Sequence, residues 1–536
     1  MDRFHWPGES AASPTTFEAA PLDVHDRSFS DIAANNGLRL SVPVPPEQSP
    51  ARHRVRDVYL NDPELQRLYP LGLLPLGQFH FLGWLTTHGR ADQDLADTEI
   101  LQFLHESAAD ELHGWCLTYL VQPAWQKHFP SALTPLGWEE FRAWIHATYG
   151  ELLRAPLPEK APCDLPAAAS AEGVNIISHF SNPSGIQQAA LWTKEALECA
   201  GLRTSCRDVP VPRRMVPDDR ERWLGQEIFP ITILTQAATP YFESGYERAG
   251  LFPRADAYRV AYWAWELEAV PDEWVEAAAL VDEIWSPTQF VAEAMRARMS
   301  RPVYRMLPGV EVGRIEKVPR ASLNIPEDHV VFLFMFDLHS QIHRKNPIAV
   351  FRAFREAFRH DDKTTLVIKT SGGDIYSDDL AELRETIRGR NVIFLHELMS
   401  RARAYGLIDM ADCFVSLHRS EGFGLGLAEA MLMGKPVIAT GYSGNLDFMS
   451  SDNSLLVGYE LSEIKEDRPI YTRGNFWAEP SNEQAAAYLR QVYADLDDAR
   501  ARAQRVRPEI QRLLSLESAG QRMRARLEQI ATNRRD

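Results

Sequence analysis

The sequence predicts an α/β fold, with two parallel sheets wrapped by helices and preceded by a small α-helical domain. Two observations lead to this fold class. From residue 174 onward, short apolar runs of strand type alternate with longer helix-like runs, which is the pattern of parallel sheets covered by helices. Before residue 155, the aromatic residues instead recur at helical spacing.

The composition is that of a globular protein of about three domains. The chain has 536 residues and a formal net charge of −17, which argues against general nucleic-acid binding. No uninterrupted apolar run reaches the ~18 residues that cross a bilayer, and residues 1–7 lack the apolar core of a signal peptide. The five cysteines are odd in number and form no C-x-x-C pair, so we expect reduced thiols in a cytoplasmic protein and no zinc site.

Residues 56–154 contain an internal repeat with an offset of 60 residues, since 69–77 resembles 129–137. Each copy carries a Leu-x-Pro-Leu-Gly element before an aromatic helix-like run. Proline is tolerated in a first helical turn, so we interpret each element as a helix start and the segment as a small α-helical module. Five tryptophans of this module could stack on sugars, but their helical spacing favours core packing: Trp84, Trp115, Trp125, Trp138 and Trp144.

Two less regular segments flank the helical module. Residues 1–55 are rich in Pro, Ser and Ala, and we expect a poorly ordered or surface-draped arm. Residues 155–173 hold several prolines and alanines and are the best candidate for a linker.

Strand-like runs define the two predicted sheets. The first series is 174–180, 228–235, 259–263 and 283–285, within a domain of residues 174–320. The second series is 330–336, 365–369, 392–396, 413–417, 436–440 and 455–457, within a domain of residues 321–480. Residues 481–536 complete the chain with helix-like runs, which we expect to begin near Trp477.

The segment 420–440 carries the strongest chemical signal. Glu421 and Glu429 lie eight positions apart around Gly422, Gly424 and Gly426, just before a helix-like run and a strand-like run. Glycines let a backbone approach a ligand closely, and the free amides of a helix start favour an anion. A phosphate held between two carboxylates that accept hydrogen bonds from hydroxyls describes a nucleotide sugar. A glycine-rich loop that caps a helix of another Rossmann-like domain is the alternative interpretation.

These residues resemble the E-x7-E signature of retaining glycosyltransferases of family 4 (glycosyl transferases group 1), which have the GT-B fold. The Gly-Asn-Leu-Asp form at 444–447 is typical of a subset of that family. The resemblance implies two Rossmann-like domains that face a cleft. Residues 174–320 would bind the acceptor, residues 321–480 would bind the nucleotide-sugar donor, and the helices of 481–536 would cross back to the acceptor domain.

The resemblance also implies roles for individual residues. Glu421 should contact the transferred sugar, and Glu429 should accept hydrogen bonds from the ribose. Lys345 matches a lysine that binds the donor diphosphate, whereas the family's earlier arginine position falls near His339. Arg344 is a candidate substitute, although adjacent residues at a helix start point in different directions. The backbone of the glycine-rich loop should bind the diphosphate: Gly422, Phe423, Gly424 and Leu425.

Three further residues are candidates on weaker grounds. Lys369 ends a strand-like run and faces either the cleft or the rim. Gly185 lies where the family has a glycine-containing loop near the donor phosphates. Glu266 follows another strand and either acts near the acceptor hydroxyl or is an ordinary helix-start acid.

The implied function is transfer of a hexose from a nucleotide-diphosphate sugar to a saccharide or lipid-linked acceptor, in bacterial surface polysaccharide synthesis. Retaining enzymes of this fold are usually assigned a front-face route. Amides, a helix start and Lys345 would stabilise the leaving diphosphate, so we expect no metal or other cofactor. Asp495-Leu496-Asp497 is interpreted as a solvated helix face. A non-catalytic GT-B scaffold and a GT-B epimerase or phosphorylase remain alternatives.

The implied location is the cytoplasm. Residues 500–536 contain ten arginines and four acids, so peripheral contact with the anionic inner face of the plasma membrane is a further hypothesis. A solvated helix face is the alternative explanation of this charge run.

Overall fold

The computed structural model describes residues 54–534 except 110, 130–131, 134–136, 163–172, 212–222, 224, 241, 250, 252, 255, 373–376, 390 and 469. The predicted arm lies almost entirely outside the described residues. The chain divides into two compact units. The first contains the described residues of 54–162, 223–228 and 246–254, and the second contains those of 173–211, 229–245 and 256–534.

The first unit is α-helical over its N-terminal part. Its helices α1 to α8 are Arg54–Asn61, Pro63–Leu68, Phe79–Trp84, Arg90–Asp92, Asp97–Ala109, Glu111–Leu120, Pro123–His128 and Trp138–Tyr149. A π-helical turn at Leu85–Gly89 and a 3-10 turn at Gly150–Leu152 complete them. Helices α3 and α8 begin within two residues of Gly77 and Gly137, where the repeat predicts helix starts.

The tryptophans of this unit form its core. Trp115, Trp125 and Trp138 are each at most 2% exposed, and Trp84 and Trp144 pack against the same cluster. The predicted linker is not free along its first half, because Leu157 belongs to this core and the indole Nε1 of Trp138 donates to the Pro158 carbonyl at 3.0 Å. Residues 163–172 of the linker lie outside the described residues.

The second unit contains two six-stranded sheets whose paired strands are all parallel. The first sheet is formed by β1 Gly173–Ser178, β2 Arg203–Asp208, β3 Ile231–Leu234, β4 Tyr258–Tyr262, β5 Glu283–Ser286 and β6 Val303–Arg305. Its order is β2-β1-β3-β4-β5-β6. Its helices α9, α11 and α12 are Gly185–Cys199, Asp272–Ala277 and Gln289–Arg296, with a 3-10 turn at Ala278–Leu280. Helix α10, Gly245–Ala249, lies in the first unit except for its first residue.

The second sheet is formed by β7 Val330–Asp337, β8 Thr364–Ser371, β9 Val392–His396, β10 Cys413–Ser416, β11 Val437–Thr440 and β12 Leu455–Val457. Its order, β12-β11-β10-β7-β8-β9, is that of a Rossmann fold. Its helices α13 to α17 are Ile342–Lys345, Pro347–Ala357, Ser377–Thr386, Arg401–Met410 and Leu425–Leu432. Short 3-10 turns lie at Arg320–Leu323, Leu338–Ser340 and Gly444–Asp447. The two sheets and the helices before them confirm the predicted α/β fold class and the GT-B architecture.

A two-stranded antiparallel hairpin follows the second sheet. Its strands are β13 Tyr459–Glu463 and β14 Phe476–Pro480. The sequence did not predict this hairpin, and the expectation that terminal helices begin near Trp477 is wrong. Helix α18, Asn482–Ala494, begins only after Ser481, whose side chain accepts from the Gln484 amide at 3.2 Å.

Helices α19, Leu496–Leu514, and α20, Leu516–Asn533, end the described chain. Helix α20 packs on the first sheet domain. Arg526 Nη2 lies 2.5 Å from Glu283 Oε2, and Arg524 Nη1 donates to the Ala200 carbonyl at 2.7 Å. Several arginines of 500–536 are thus bound to the protein itself: Arg500, Arg502, Arg507, Arg522, Arg524, Arg526 and Arg534.

Candidate functional site

The strand order of the second sheet determines where a ligand can bind. Strands β7 and β10 are neighbours at the point where the order reverses, and ligands of open parallel sheets bind beyond the carboxyl ends of strands at such a point. The loop after β7 leads to Arg344 and Lys345, and the loop after β10 leads to Glu421. These residues are therefore brought together although some 76 residues separate them in sequence.

Arg344 and Lys345 both contact the carboxylate of Glu421. Lys345 Nζ lies 2.5 Å from Glu421 Oε1, and Arg344 Nη1 donates to Glu421 Oε2 at 3.1 Å. The expectation that these adjacent side chains diverge is wrong here. The helix that carries them is a single turn ended by Asn346 in the left-handed conformation (φ 54°), so both side chains reach the same loop.

Backbone contacts hold this single turn against the loop after β10. The amide of Arg419 donates to the Arg344 carbonyl at 2.8 Å, and Arg419 Nη1 donates to the His343 carbonyl at 2.5 Å. Arg344 Nη1 also donates to the Ser420 carbonyl at 2.8 Å. The two cationic side chains are therefore placed by main-chain bonds as well as by their own ion pairs.

The motif at 443–444 supports the Glu421 backbone from the other side. The Glu421 amide donates to Ser443 Oγ at 2.8 Å, and the Gly444 amide donates to the Glu421 carbonyl at 2.9 Å. A Cβ at residue 444 would lie 2.2 Å from the Gly422 carbonyl oxygen. Only glycine allows this close approach, which explains the Gly-Asn-Leu-Asp motif in packing terms.

The charge state of Glu421 follows from these neighbours. Burial alone would raise the pKa of its carboxyl, but Lys345 and Arg344 lower the pKa to about 2. Glu421 is therefore an anion throughout the physiological pH range, and it is 7% exposed.

Glu429 lies on the helix that begins directly after the glycine-rich loop. Gly424 has φ 95°, which favours glycine, and helix α17 starts at Leu425. Glu429 is 4% exposed, with Arg401 Nη2 at 2.9 Å and the Tyr405 hydroxyl at 3.5 Å from its Oε1. Burial raises the pKa of Glu429, and Arg401 offsets only part of that rise.

Of the other candidate residues, Phe423 has its side chain in the core and Gly185 lies next to the glycine-rich loop. The Phe423 side chain is buried, with its ring 5.1 Å from that of Phe448, so only its backbone is available to a ligand. Gly185 lies opposite the loop, because a Cβ built there would be 3.6 Å from Leu425 Cδ1. The structure thus brings Gly185 to the glycine-rich loop.

Glu266 reaches the same group of charges from the first sheet domain. Its Oε1 lies 3.6 Å from Arg344 Nη2, and its Oε2 accepts from the Tyr471 hydroxyl at 3.0 Å. The Glu266 carbonyl also accepts from Ser420 Oγ. Glu266 therefore links the first sheet domain to these charges, and it does not lie in the first turn of a helix, because the next helix begins at Asp272.

Lys369 lies near the carboxyl end of β8, and His339 lies in the 3-10 turn that follows β7. Lys369 is 8% exposed, so it is not on the rim, and burial lowers its pKa while Asp337 and Glu397 partly offset this. His339 Nδ1 lies 2.7 Å from Asp337 Oδ1. The family's earlier arginine position is thus occupied by a histidine bound to an aspartate.

Sequence reasoning missed several residues that contact the candidate site, among them Tyr471 and Arg401. Tyr471, in the connection of the unpredicted hairpin, contacts Glu266, and Arg401 contacts Glu429. The sequence around Tyr471 contains no motif that indicates a site. Arg401 follows the helix cap Ser400, and its guanidinium lies 5.6 Å from the rings of both Trp192 and Tyr405, a combination that sequence cannot show.

Within the described part of the chain, no helix combines the length and apolarity that crossing a bilayer requires. The same part contains no group of three or more His, Cys, Asp or Glu side chains arranged to hold a metal ion.

Comparison with known proteins points to one family. Residues 316–505 match the family model described as glycosyl transferases group 1. A curated relative, the alpha-monoglucosyldiacylglycerol synthase of Streptococcus pneumoniae, is 26% identical over 178 residues. That match covers 31% of the present chain and 39% of the relative.

Two solved structures are similar to part of this chain. HepE of Anabaena, in complex with UDP and glucose, is 13% identical with a TM-score of 0.48, over 67% of this chain and 100% of that chain. The sucrose-phosphate synthase of Thermosynechococcus elongatus is 16% identical with a TM-score of 0.48, over 68% of this chain and 100% of that chain.

Proposed function

From the membership of residues 316–505 in the glycosyl transferases group 1 family, we propose that this chain is a retaining glycosyltransferase. It transfers a hexose from a nucleotide-diphosphate sugar to a saccharide or lipid-linked acceptor. The observation that carries the proposal is the convergence of Arg344 and Lys345 on Glu421, at the switch point of the sheet and next to a helix N-terminus. That arrangement suits a diphosphate whose sugar lies beside a carboxylate.

The chemistry proposed for these residues is stabilisation of the leaving group. The bond between the sugar C1 and the diphosphate oxygen breaks, and negative charge develops on the diphosphate. Lys345, Arg344 and the amides of residues 422–425 stabilise this charge in a site with little water. When the donor binds, Lys345 Nζ leaves Glu421 and contacts a diphosphate oxygen. The Lys345 side chain is 18% exposed, so a ligand can reach it.

The acceptor hydroxyl completes the reaction from the same face of the sugar. Its oxygen bonds to C1, and its proton passes to the departing diphosphate, so atoms and charge balance. Glu421 accepts a hydrogen bond from the transferred sugar, Glu429 binds the ribose, and Glu266 faces the acceptor. This assignment needs no resident metal or cofactor, and Lys369 contributes to the donor site from strand β8.

The acceptor belongs to surface polysaccharide synthesis or to its lipid-linked precursors. The streptococcal relative is named for the synthesis of a glucosylated diacylglycerol, which supports a lipid acceptor. We therefore propose a cytoplasmic protein with peripheral membrane contact. Sedimentation with vesicles that contain or lack anionic lipid tests the contact, and equal absence of binding contradicts it.

A donor screen tests the enzymatic proposal. Thermal denaturation with UDP-, GDP- and dTDP-sugars should reveal one donor that raises the melting temperature, because a ligand of the native state stabilises it by mass action. Lys345→Ala should clearly reduce this shift at the same donor concentration. Lys363→Ala is the matched control, because Lys363 forms an exposed surface pair with Asp328 at 2.8 Å. Donor binding without any transfer or hydrolysis would instead favour a non-catalytic scaffold.

A further inference from the structure

The hairpin β13–β14 and the helical turn that carries Arg344 and Lys345 both contact Arg419. The Ala478 amide donates to the Arg419 carbonyl at 2.9 Å, and Arg419 Nε donates to Glu479 Oε2 at 2.7 Å. The Arg419 guanidinium also lies 5.3 Å from the Trp477 ring centroid. Since Arg419 binds the carbonyls of His343 and Arg344 as well, the hairpin is attached to the candidate site.

Tyr471 lies in the connection of this hairpin and packs against Trp265 of the first sheet domain. Its side chain is 1% exposed, and its ring centroid lies 5.7 Å from that of Trp265 and 6.3 Å from that of Trp477. Its hydroxyl donates to Glu266 Oε2 at 3.0 Å. Burial and the adjacent Glu266 raise the pKa of Tyr471 well above its ordinary value, so the phenol remains a donor at any physiological pH.

One continuous series of polar contacts results. Tyr471 binds Glu266, Glu266 faces Arg344 at 3.6 Å, and Arg344 binds Glu421 at 3.1 Å. In this series the Tyr471 hydroxyl is the donor on Glu266 Oε2, while Arg344 is on the Oε1 side. Without the hydroxyl, the Glu266 carboxylate can rotate away from Arg344, which would then lose one of its two counter-charges.

We propose that Tyr471 is a positioning residue of the transfer reaction, which holds Glu266 against Arg344 and so makes the hairpin part of the active site. This inference rests on the proposed function. Tyr471 acts through Glu266 and does not contact the nucleotide, so its loss should lower the turnover number and leave the donor KM almost unchanged.

The test compares Tyr471→Phe, Glu266→Ala and the double variant in the full chain, with Tyr459→Phe as the control on the exposed face of the same hairpin. Tyr471→Phe keeps the ring and removes one hydrogen bond to a charged group, so we expect kcat to fall about tenfold or more. The donor KM should change less than about twofold. In the Glu266→Ala background, where the acceptor of the Tyr471 hydroxyl is gone, the same change should have almost no effect, which is the signature of coupled residues. Tyr459→Phe should behave as wild type.

Two results would overturn the inference: a kcat of Tyr471→Phe within twofold of wild type, or an equal loss in both backgrounds. The free energy of unfolding of the apoprotein is also measured for the same single and double variants. If the two single changes in this free energy simply add in the double variant, the contact between Tyr471 and Glu266 is refuted. That second measurement needs no substrate. If the wild-type chain transfers no sugar at all, the proposed function fails, and the unfolding cycle still decides whether Tyr471 and Glu266 are coupled.

Discussion

The two ends of the segment 421–429 have opposite electrostatic surroundings. Glu421, in the loop, lies between two cations that hold its pKa at about 2. Glu429, one helical turn into α17, has a raised pKa because burial outweighs its single cation, Arg401. The loop end is thus built around a permanent anion that orients Arg344 and Lys345. The helix end is a buried acceptor that a ligand's hydroxyl groups can satisfy.

The largest expected effect comes from removing Arg344, the more buried of the two cations that contact Glu421. Arg344→Ala leaves Glu421 and Glu266 short of a partner, and breaking a buried ion pair costs about 3–5 kcal/mol. Arg344 is 3% exposed, so solvent cannot replace it. Urea unfolding measures the loss. Adding Glu421→Gln to Arg344→Ala should recover part of it, and no recovery would show that the two charges are not coupled.

The next largest effect is expected on catalytic activity, where substitutions of Glu421 and Glu429 should differ. Glu421→Gln should lower kcat about 10²- to 10³-fold, because the variant loses the group that orients the cations of the leaving diphosphate. Glu429→Gln should act mainly on the donor KM, since ribose binding is shared by ground state and transition state. Steady-state kinetics with varied donor measures both. Identical kinetic profiles for the two variants would remove the proposed difference in role.

The pH dependence of stability should also differ between the two ends. The folded-state pKa of Glu421 is lowered from 4.5 to about 2, a shift worth about 3 kcal/mol. This contribution is fully present above pH 4.5 and is lost as the pH falls toward 2. The difference in unfolding free energy between wild type and Glu421→Gln should therefore shrink over that window. A constant difference would contradict the low pKa.

The pH dependence of stability that we expect from Glu429 has the opposite sign. Because its folded-state pKa is raised, its carboxylate costs stability as the pH rises through that pKa. Glu429→Gln should thus be at least as stable as wild type at pH 7 in the absence of donor. Thermal denaturation at pH 7 measures this, and a clear destabilisation would mean that the Arg401 pair outweighs burial.

The smallest effect is expected from Arg401. Its side chain is 43% exposed, so Arg401→Ala should cost only about 1 kcal/mol. Arg403→Ala is a control on the same helix, where Arg403 forms an exposed pair with Glu316 at 3.5 Å. A loss as large as that of Arg344→Ala would erase the contrast between the two ends.

Much of the fold could be predicted because it depends on apolar patterning. Strand β10, with the sequence Cys-Phe-Val-Ser, and strand β7 are fully or largely buried runs that alternate with helices, which is the signature of a parallel sheet. The hairpin could not be predicted, because β13 is mostly exposed and pairs with a strand beyond a connection of twelve residues, 464–475. No local pattern specifies such a pairing.

The candidate site could be predicted only where one motif carries it. Glu421, Glu429 and the glycines lie together in sequence, so their proximity follows from the chain itself. The contacts of Arg344 depend on the abrupt end of a four-residue helix at Asn346, and those of Tyr471 depend on the hairpin. Both are tertiary features, which explains why the sequence offers Arg344 only as a substitute and does not indicate Tyr471.

The central claim is that Lys345, Arg344 and the loop 421–429 bind the diphosphate of a nucleotide sugar. Isothermal titration calorimetry with UDP-, GDP- and dTDP-sugars, on wild type and Lys345→Ala, tests it most directly. We predict that at least one of these donors binds wild type and that Lys345→Ala weakens this binding at least about tenfold. Absence of binding for every donor, or equal affinity for both proteins, would contradict the claim.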